Sequence, residues 1–329
     1  VLKANTGSTA VDEVEFGSRL EISRHRDMTS FFRSKWHSMS NLFTRETLPL
    51  PFYCLSVLVL LSLALAPARP QLRGADLLYP IAIVAAESGD LYIADRQLPG
   101  IWRLRDGKLE PYWTAKKKFR TPLNAIRCLA IDGNGKLLAG DSATRDIYRF
   151  NAEGEEPTAL TGGGIGIPMG IAVDADGNIL VTDLELHCVW KVAGEGGKPE
   201  KVAMVRAPTG ITIDSEGRAW IISRGVDPVQ RLAADGTLET VVAGRPFRFP
   251  HDIVLDEKGE AFITDGLGKA IWHVVEGAEP LKLVDGAPLV NPVGISRQGG
   301  KLVVVDSRAR SVFSVDSEGQ LTPLVRPDN

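Results

Sequence analysis

The sequence predicts an all-β fold: a six-bladed β-propeller of four-stranded antiparallel blades, preceded by a non-globular N-terminal segment. Three observations predict it. A unit of about forty residues, the length of a propeller blade, recurs six times between residues 80 and 326. Within each unit, short apolar runs alternate with tight glycine turns, the signature of successive antiparallel strands. Closure into a ring explains how so many four-stranded sheets hide their lateral faces.

The elements follow in order. Residues 1–38 mix charges without a period and read as a disordered or mis-annotated leader. Residues 39–66 read as a signal peptide or an uncleaved membrane anchor. Their run from Phe52 to Ala66 carries no charge. It is short for a span, which needs roughly 20 apolar residues, and fits the apolar region of a secretory signal. Ala64-Leu65-Ala66 supplies a small-x-small cleavage pattern, and Met28 or Met39 could serve as the start. Residues 67–79 are the linker, and 80–326 the propeller. On this basis the chain is expected in the periplasm, cell envelope or outside the cell, and membrane-attached if residues 52–66 are retained.

Each unit opens with an apolar strand, as at Pro168, Pro208 and Pro250. Asp-x-x-Gly follows as a tight turn, with glycine where positive φ is needed. The turn glycines are Gly89, Gly135, Gly177, Gly217, Gly259 and Gly300, spaced by 40 to 46 residues. The last unit lacks the turn aspartate and the first has Ala86 there. A second apolar strand ends at Asp95, Asp141, Asp183, Asp265 or Asp306, with Ser223 as the exception. Because these aspartates recur, they are expected to accept backbone hydrogen bonds and fix the next loop, not to form a catalytic ring. The third strand carries Trp102, Tyr148, Trp190, Trp272 or Phe313 at one repeated position, expected to pack between sheets. A glycine turn and a fourth strand, such as Leu238–Val242, close the unit.

Composition narrows the function classes. With 44% apolar residues and a net charge of −3, the chain is not of disordered type. The 38 basic against 41 acidic residues do not favour nucleic acid as a partner. Three cysteines in 329 residues exclude a disulfide scaffold. Cys128 and Cys188 are expected as buried thiols at different depths of neighbouring blades.

The Pro-x-Gly-Ile-x-x-Asp-x-x-Gly-x-hydrophobic-x-x-x-Asp pattern over residues 80–326 resembles the NHL-repeat family of six-bladed propellers. Its superfamily neighbours include gluconolactonase and senescence-marker-like lactonases, streptogramin lyases and peptidyl-hydroxyglycine amidating lyases. The resemblance implies a site where two loop sets meet around the central channel. Loops entering the first strands offer Asn124, Arg127, Met169, Thr209, His251, Asp252 and Asn291. Loops after the second strands offer Arg96, Arg145, Glu185, His187, Arg224, Asp227, Arg308 and Arg310.

Two readings follow. In the first, the arginines gather on one face and bind a small anionic ligand or a protein partner, with Asn124, Arg127, Arg145, Arg224, His251 and Arg308 as the contacts. In the second, the protein is a lactonase or lyase dependent on a divalent metal, Ca, Mg or Zn. His251, Asp252 and His187 are then the catalytic candidates, and His251, Asp252, Glu185 and His187 the metal candidates. His251 resembles the amidating-lyase ligand position, Asn124, Asn291 and Asp252 could serve a lactonase-type set, and Glu185-Leu186-His187 loosely resembles a lyase pair. Neither reading assigns a firm cofactor.

Overall fold

The computed structural model describes residues 77–327, apart from positions 99, 117, 119 and 234. Residues 1–66, read from the sequence as leader and as signal or anchor, and residues 67–76 of the expected linker lie outside the described residues. By internal contacts the chain divides into Val1–Pro67 and Ala68–Asn329.

The described residues form six antiparallel sheets, each of four strands in sequence order. Blade 1 comprises β1 (Pro80–Ala85), β2 (Leu91–Asp95), β3 (Gly100–Arg105) and β4 (Lys108–Thr114). Blade 2 comprises β5 (Ile126–Ile131), β6 (Leu137–Asp141), β7 (Asp146–Phe150) and a two-residue β8 (Thr158–Ala159). Blade 3 comprises β9 (Pro168–Val173), β10 (Ile179–Asp183), β11 (Cys188–Val192) and β12 (Glu200–Met204). Blade 4 comprises β13 (Pro208–Ile213), β14 (Ala219–Ser223), β15 (Val229–Leu232) and β16 (Leu238–Val242). Blade 5 comprises β17 (Pro250–Leu255), β18 (Ala261–Asp265), β19 (Ala270–Val274) and β20 (Leu281–Asp285). Blade 6 comprises β21 (Pro292–Gln298), β22 (Lys301–Asp306), β23 (Ser311–Val315) and β24 (Leu321–Val325).

The predicted turns form. Gly89, Gly135, Gly177, Gly217, Gly259 and Gly300 all take positive φ, between 74° and 88°. Where an aspartate precedes the glycine, its side chain holds the turn. Asp174 Oδ1, for example, accepts from the backbone N–H groups of Asp176 and Asn178.

The glycine of Pro-x-Gly has a different reason. A Cβ on Gly210 would lie 2.7 Å from the Asp252 Cα, and one on Gly170 would lie 2.8 Å from the Thr209 carbonyl oxygen. Both contacts run to the first strand of the next blade. Glycine therefore sets how closely first strands approach around the channel.

The cores lie between blades. Neighbouring sheets share one apolar cluster at each of the six seams. The recurring aromatic rings sit in these clusters, Tyr148 at the seam of blades 1 and 2 and Phe313 at that of blades 5 and 6. The ring closes by packing, because blades 1 and 6 each use only their own strands. Ile83, Leu91 and Ile93 meet Val293, Val303 and Val305 there. Ser296 Oγ accepts from Ala85 N–H, and Gln298 Nε2 donates to the Gly89 carbonyl. Every described core residue lies between Leu77 and Val325.

Candidate functional site

The strand-end aspartates build the mouth of the channel. Asp183 is fully buried and accepts from Gly166 and Ile167 in the incoming loop, and from Glu185 and Leu186 in the outgoing one. The Trp190 indole, the recurring third-strand ring, donates to it as well, at 2.8 Å. Asp265 binds Arg248, Phe249 and Gly268 in the same way, and Asp306 binds Val290, Asn291, Arg308 and Ala309. In five of the six blades one carboxylate thus locks the two loops that carry candidate ligand contacts, while in blade 4 Ser223 Oγ accepts, among the described residues, from Gly225 N–H alone. Burial pushes the Asp183 carboxyl upward, but the Trp190 indole and the backbone donors outweigh it, and its pKa falls below the ordinary value.

These loops enclose a mouth cavity of about 370 Å³. Arg96, Arg127, Arg224 and Arg308 line it, with His251, Asn291 and Met169. Tyr79, Ile81, Ile167, Leu184, Phe249, Leu267 and Val293 complete its wall, and no carboxylate is among the lining residues. Four arginines therefore line one space, and no acid lines it with them.

Arg224 is held most tightly. Its guanidinium carbon lies 4.0 Å over the Phe249 ring, a cation–π contact. Its Nη2 lies 3.3 Å from His251 Nδ1, and its Nε is buried without a hydrogen-bond partner among the described residues. Burial pulls its pKa down to about 10. Burial and the positive charge of Arg224 lower the His251 pKa to about 4, so the ring is neutral near pH 7. Because Arg224 donates to Nδ1, the neutral ring carries its proton on Nε2. Arg127 is lowered by burial and by the nearby charge of Arg96, and its Nε donates to Ser142 Oγ at 3.1 Å.

Other sequence candidates go elsewhere. Arg145 is placed by the sequence among the ligand contacts, but its Nη1 lies 2.9 Å from Glu185 Oε2 and it does not line the cavity. Arg310 Nε donates to the Leu77 carbonyl. Asn124 Nδ2 donates to the Lys118 carbonyl, outside the cavity lining. Thr209 is fully buried and donates to the Ile222 carbonyl, and Asp227 accepts from Gly244 N–H. Asn291 lines the cavity while its Nδ2 donates to Ser307 Oγ.

The metal candidates are not brought together. Asp252 Oδ1 accepts from Ile253 N–H and Oδ2 from Ile295 N–H, so the carboxyl bridges blades 5 and 6. Burial raises its pKa to about 6. Asp252 also lines a separate cavity of about 260 Å³ toward the opposite end of the channel. Glu185 is engaged by Arg145, while exposed His187 accepts from Ala207 N–H through Nδ1. Among the described residues, no three His, Cys, Asp or Glu side chains form a set that could hold a metal. Four guanidinium groups beside His251 do not fit a divalent cation. Cys128 and Cys188 are free, buried thiols, as expected.

Comparison with known proteins places the repeat. The family model of the NHL repeat matches residues 166–192, the first three strands of blade 3. The chain carries an NHL repeat. Virginiamycin B lyase from Staphylococcus aureus is similar in structure, with TM-score 0.58 at 18% identity over 77% of this chain and 85% of that one. A gluconolactonase from Xanthomonas campestris gives 0.59 at 17% identity, over 71% and 84%. A chain of a nidogen/laminin complex gives 0.62 at 20%, over 72% and 93%. At such identity these likenesses concern the fold. No curated protein sequence matches the chain.

Sequence reasoning missed Phe249 and Leu267 as mouth residues. Phe249 sits directly before the Pro250-His251 departure from Pro-x-Gly, which was its available signal.

Proposed function

We propose that this NHL-type propeller is an exported binding protein that captures a small anionic ligand in its mouth. The observation that carries this reading is the convergence of Arg96, Arg127, Arg224 and Arg308 on one cavity whose lining has no carboxylate. Guanidinium groups offer paired donors that match carboxylates and phosphates. His251 extends the same chemistry, since its Nε2–H is also a donor. The cation–π contact with Phe249 and the hydrogen bond to His251 orient Arg224 before ligand arrives, which lowers the ordering cost of binding.

The lactonase or lyase alternative draws on the names of the structural neighbours. It needs either a converging metal set or a free imidazole base. The donor set does not suit a metal, and His251 Nδ1 is already occupied by Arg224. The binding reading therefore accounts for more of the mouth.

Calorimetric titration with inorganic phosphate, citrate and D-gluconate, with glucose as a neutral comparison, tests the proposal. At least one anion is expected to bind, more weakly as salt rises. Binding of none of the anions, or equal binding of glucose, would overturn it.

A further inference from the structure

The two faces of the ring differ in chemistry. Each blade's first turn or outer turn, on the face opposite the mouth, presents an exposed acid: Glu87, Glu153, Asp176, Glu216, Glu257 and Glu318. The mouth face instead presents Lys116, Arg206, Arg245, Arg248, Lys269 and Arg308, all exposed and none in an ion pair among the described residues. A net charge of −3 conceals this separation.

Exposed aliphatic side chains gather on the same mouth face. Leu186, Val226 and Leu267 stand on the loops after the second strands of blades 3, 4 and 5, and Val290 on the loop entering blade 6. Val226 is 57% exposed and Leu267 53%. Met204, 61% exposed, ends β12 at this face, while Val275 and Leu281 lie toward the other. An aliphatic crescent among unpaired cations is a surface suited to a partner that is apolar and anionic together.

The chain joins the ring on this face as well. Tyr79 lines the mouth cavity, and Arg310 binds the Leu77 carbonyl. In the sequence, residues 67–76 separate Leu77 from the apolar run ending at Ala66.

We infer that the mouth face docks on a bilayer surface that carries anionic lipid. The crescent of Leu186, Met204, Val226 and Val290 enters the headgroup region, and the surrounding Lys and Arg side chains pair with lipid phosphates. The inference uses some of the same arginines as the small-anion reading but does not depend on the depth of the mouth.

Residues 68–329, which hold all six described cores, are tested by co-sedimentation with vesicles. One set is phosphatidylcholine alone and the other is equimolar phosphatidylcholine and phosphatidylglycerol. The protein is expected to sediment with the mixed vesicles only. Joint replacement Leu186→Ser, Met204→Ser and Val226→Ser is expected to weaken this about tenfold, while phosphate binding and the melting temperature stay unchanged. Val275→Ser with Leu281→Ser is expected to have no effect. Equal sedimentation with pure phosphatidylcholine, or an unaffected triple variant, would overturn the inference. Capture of polyglutamate without vesicle binding would overturn it in favour of an acidic protein partner. Phosphate binding without vesicle binding would overturn it and leave the small-anion reading standing, whereas loss of both would remove the two together.

Discussion

Arg224 reaches from blade 4 to donate to His251 on blade 5, across 3.3 Å, with its guanidinium stacked 4.0 Å over Phe249. The contact fixes a desolvated cation at the wall of the mouth, and it fixes the imidazole tautomer too.

The cost and the use of that cation can be separated. Arg224→Met is expected to weaken binding of the preferred anion about 10- to 100-fold, the loss of charge-assisted hydrogen bonds. The same change removes a buried charge that no acid neutralises, so stability should rise by about 1–2 kcal/mol. Calorimetry and denaturant unfolding read the two effects. A variant that loses binding because it is misfolded would instead lose stability.

His251 and Asp252 titrate in opposite senses. The His251 pKa is depressed to about 4, so its contribution to stability is complete above the unfolded value of 6.5 and is lost as pH falls through 4. The Asp252 pKa is raised to about 6, so its contribution is complete below 3.8 and is lost as pH rises through 6. Each is worth up to about 3 kcal/mol, and between pH 4 and 6 they oppose one another. Asp252→Asn should therefore leave a protein whose stability climbs from pH 4 to 6.5. His251→Gln should leave one whose stability declines over pH 4 to 6. Urea unfolding at several pH values checks both slopes.

The strand-end aspartates are expected to matter through their loops. Asp183→Ala leaves four backbone N–H donors and the Trp190 indole without their acceptor. A loss of about 3 kcal/mol is expected, equivalent to roughly 6–12 °C in melting temperature for a domain of this size. Asp183→Asn, which retains one acceptor oxygen, should lose less. A scanning calorimeter distinguishes the two.

Two glycines in blade 4 are expected to answer differently to one substitution. Gly217 has φ +80° and open space around its Cβ position, so Gly217→Asn should cost about 1 kcal/mol or less, since asparagine tolerates this conformation. Gly210→Asn would drive a Cβ against Asp252 across the blade seam, and should cost about 3 kcal/mol or more. Unfolding curves for the pair show whether the Pro-x-Gly glycine is a turn residue or a spacer.

The fold was legible because each blade repeats its punctuation. Strand-end aspartates, turn glycines and third-strand rings recur at fixed offsets, and a repeat constrains them several times over. The mouth was legible only in part. Sequence position gives the blade and the height of Arg145 and Arg96 but not the direction of a long, flexible side chain. Arg145 turns to Glu185 on the neighbouring blade, while Arg96 faces the cavity. Likewise, nothing local announces that Arg224 will find His251, because the contact joins two repeats. The Pro-x-Gly glycine was visible, yet its reason lies in the approach of the next blade.

Whether the arginine mouth holds an anion is read directly from a crystal structure of the protein grown with citrate. Citrate is expected in the mouth cavity, its carboxylates on Arg224 and at least one of Arg96, Arg127 and Arg308. Citrate bound only elsewhere, with the mouth arginines turned out to solvent, would contradict it.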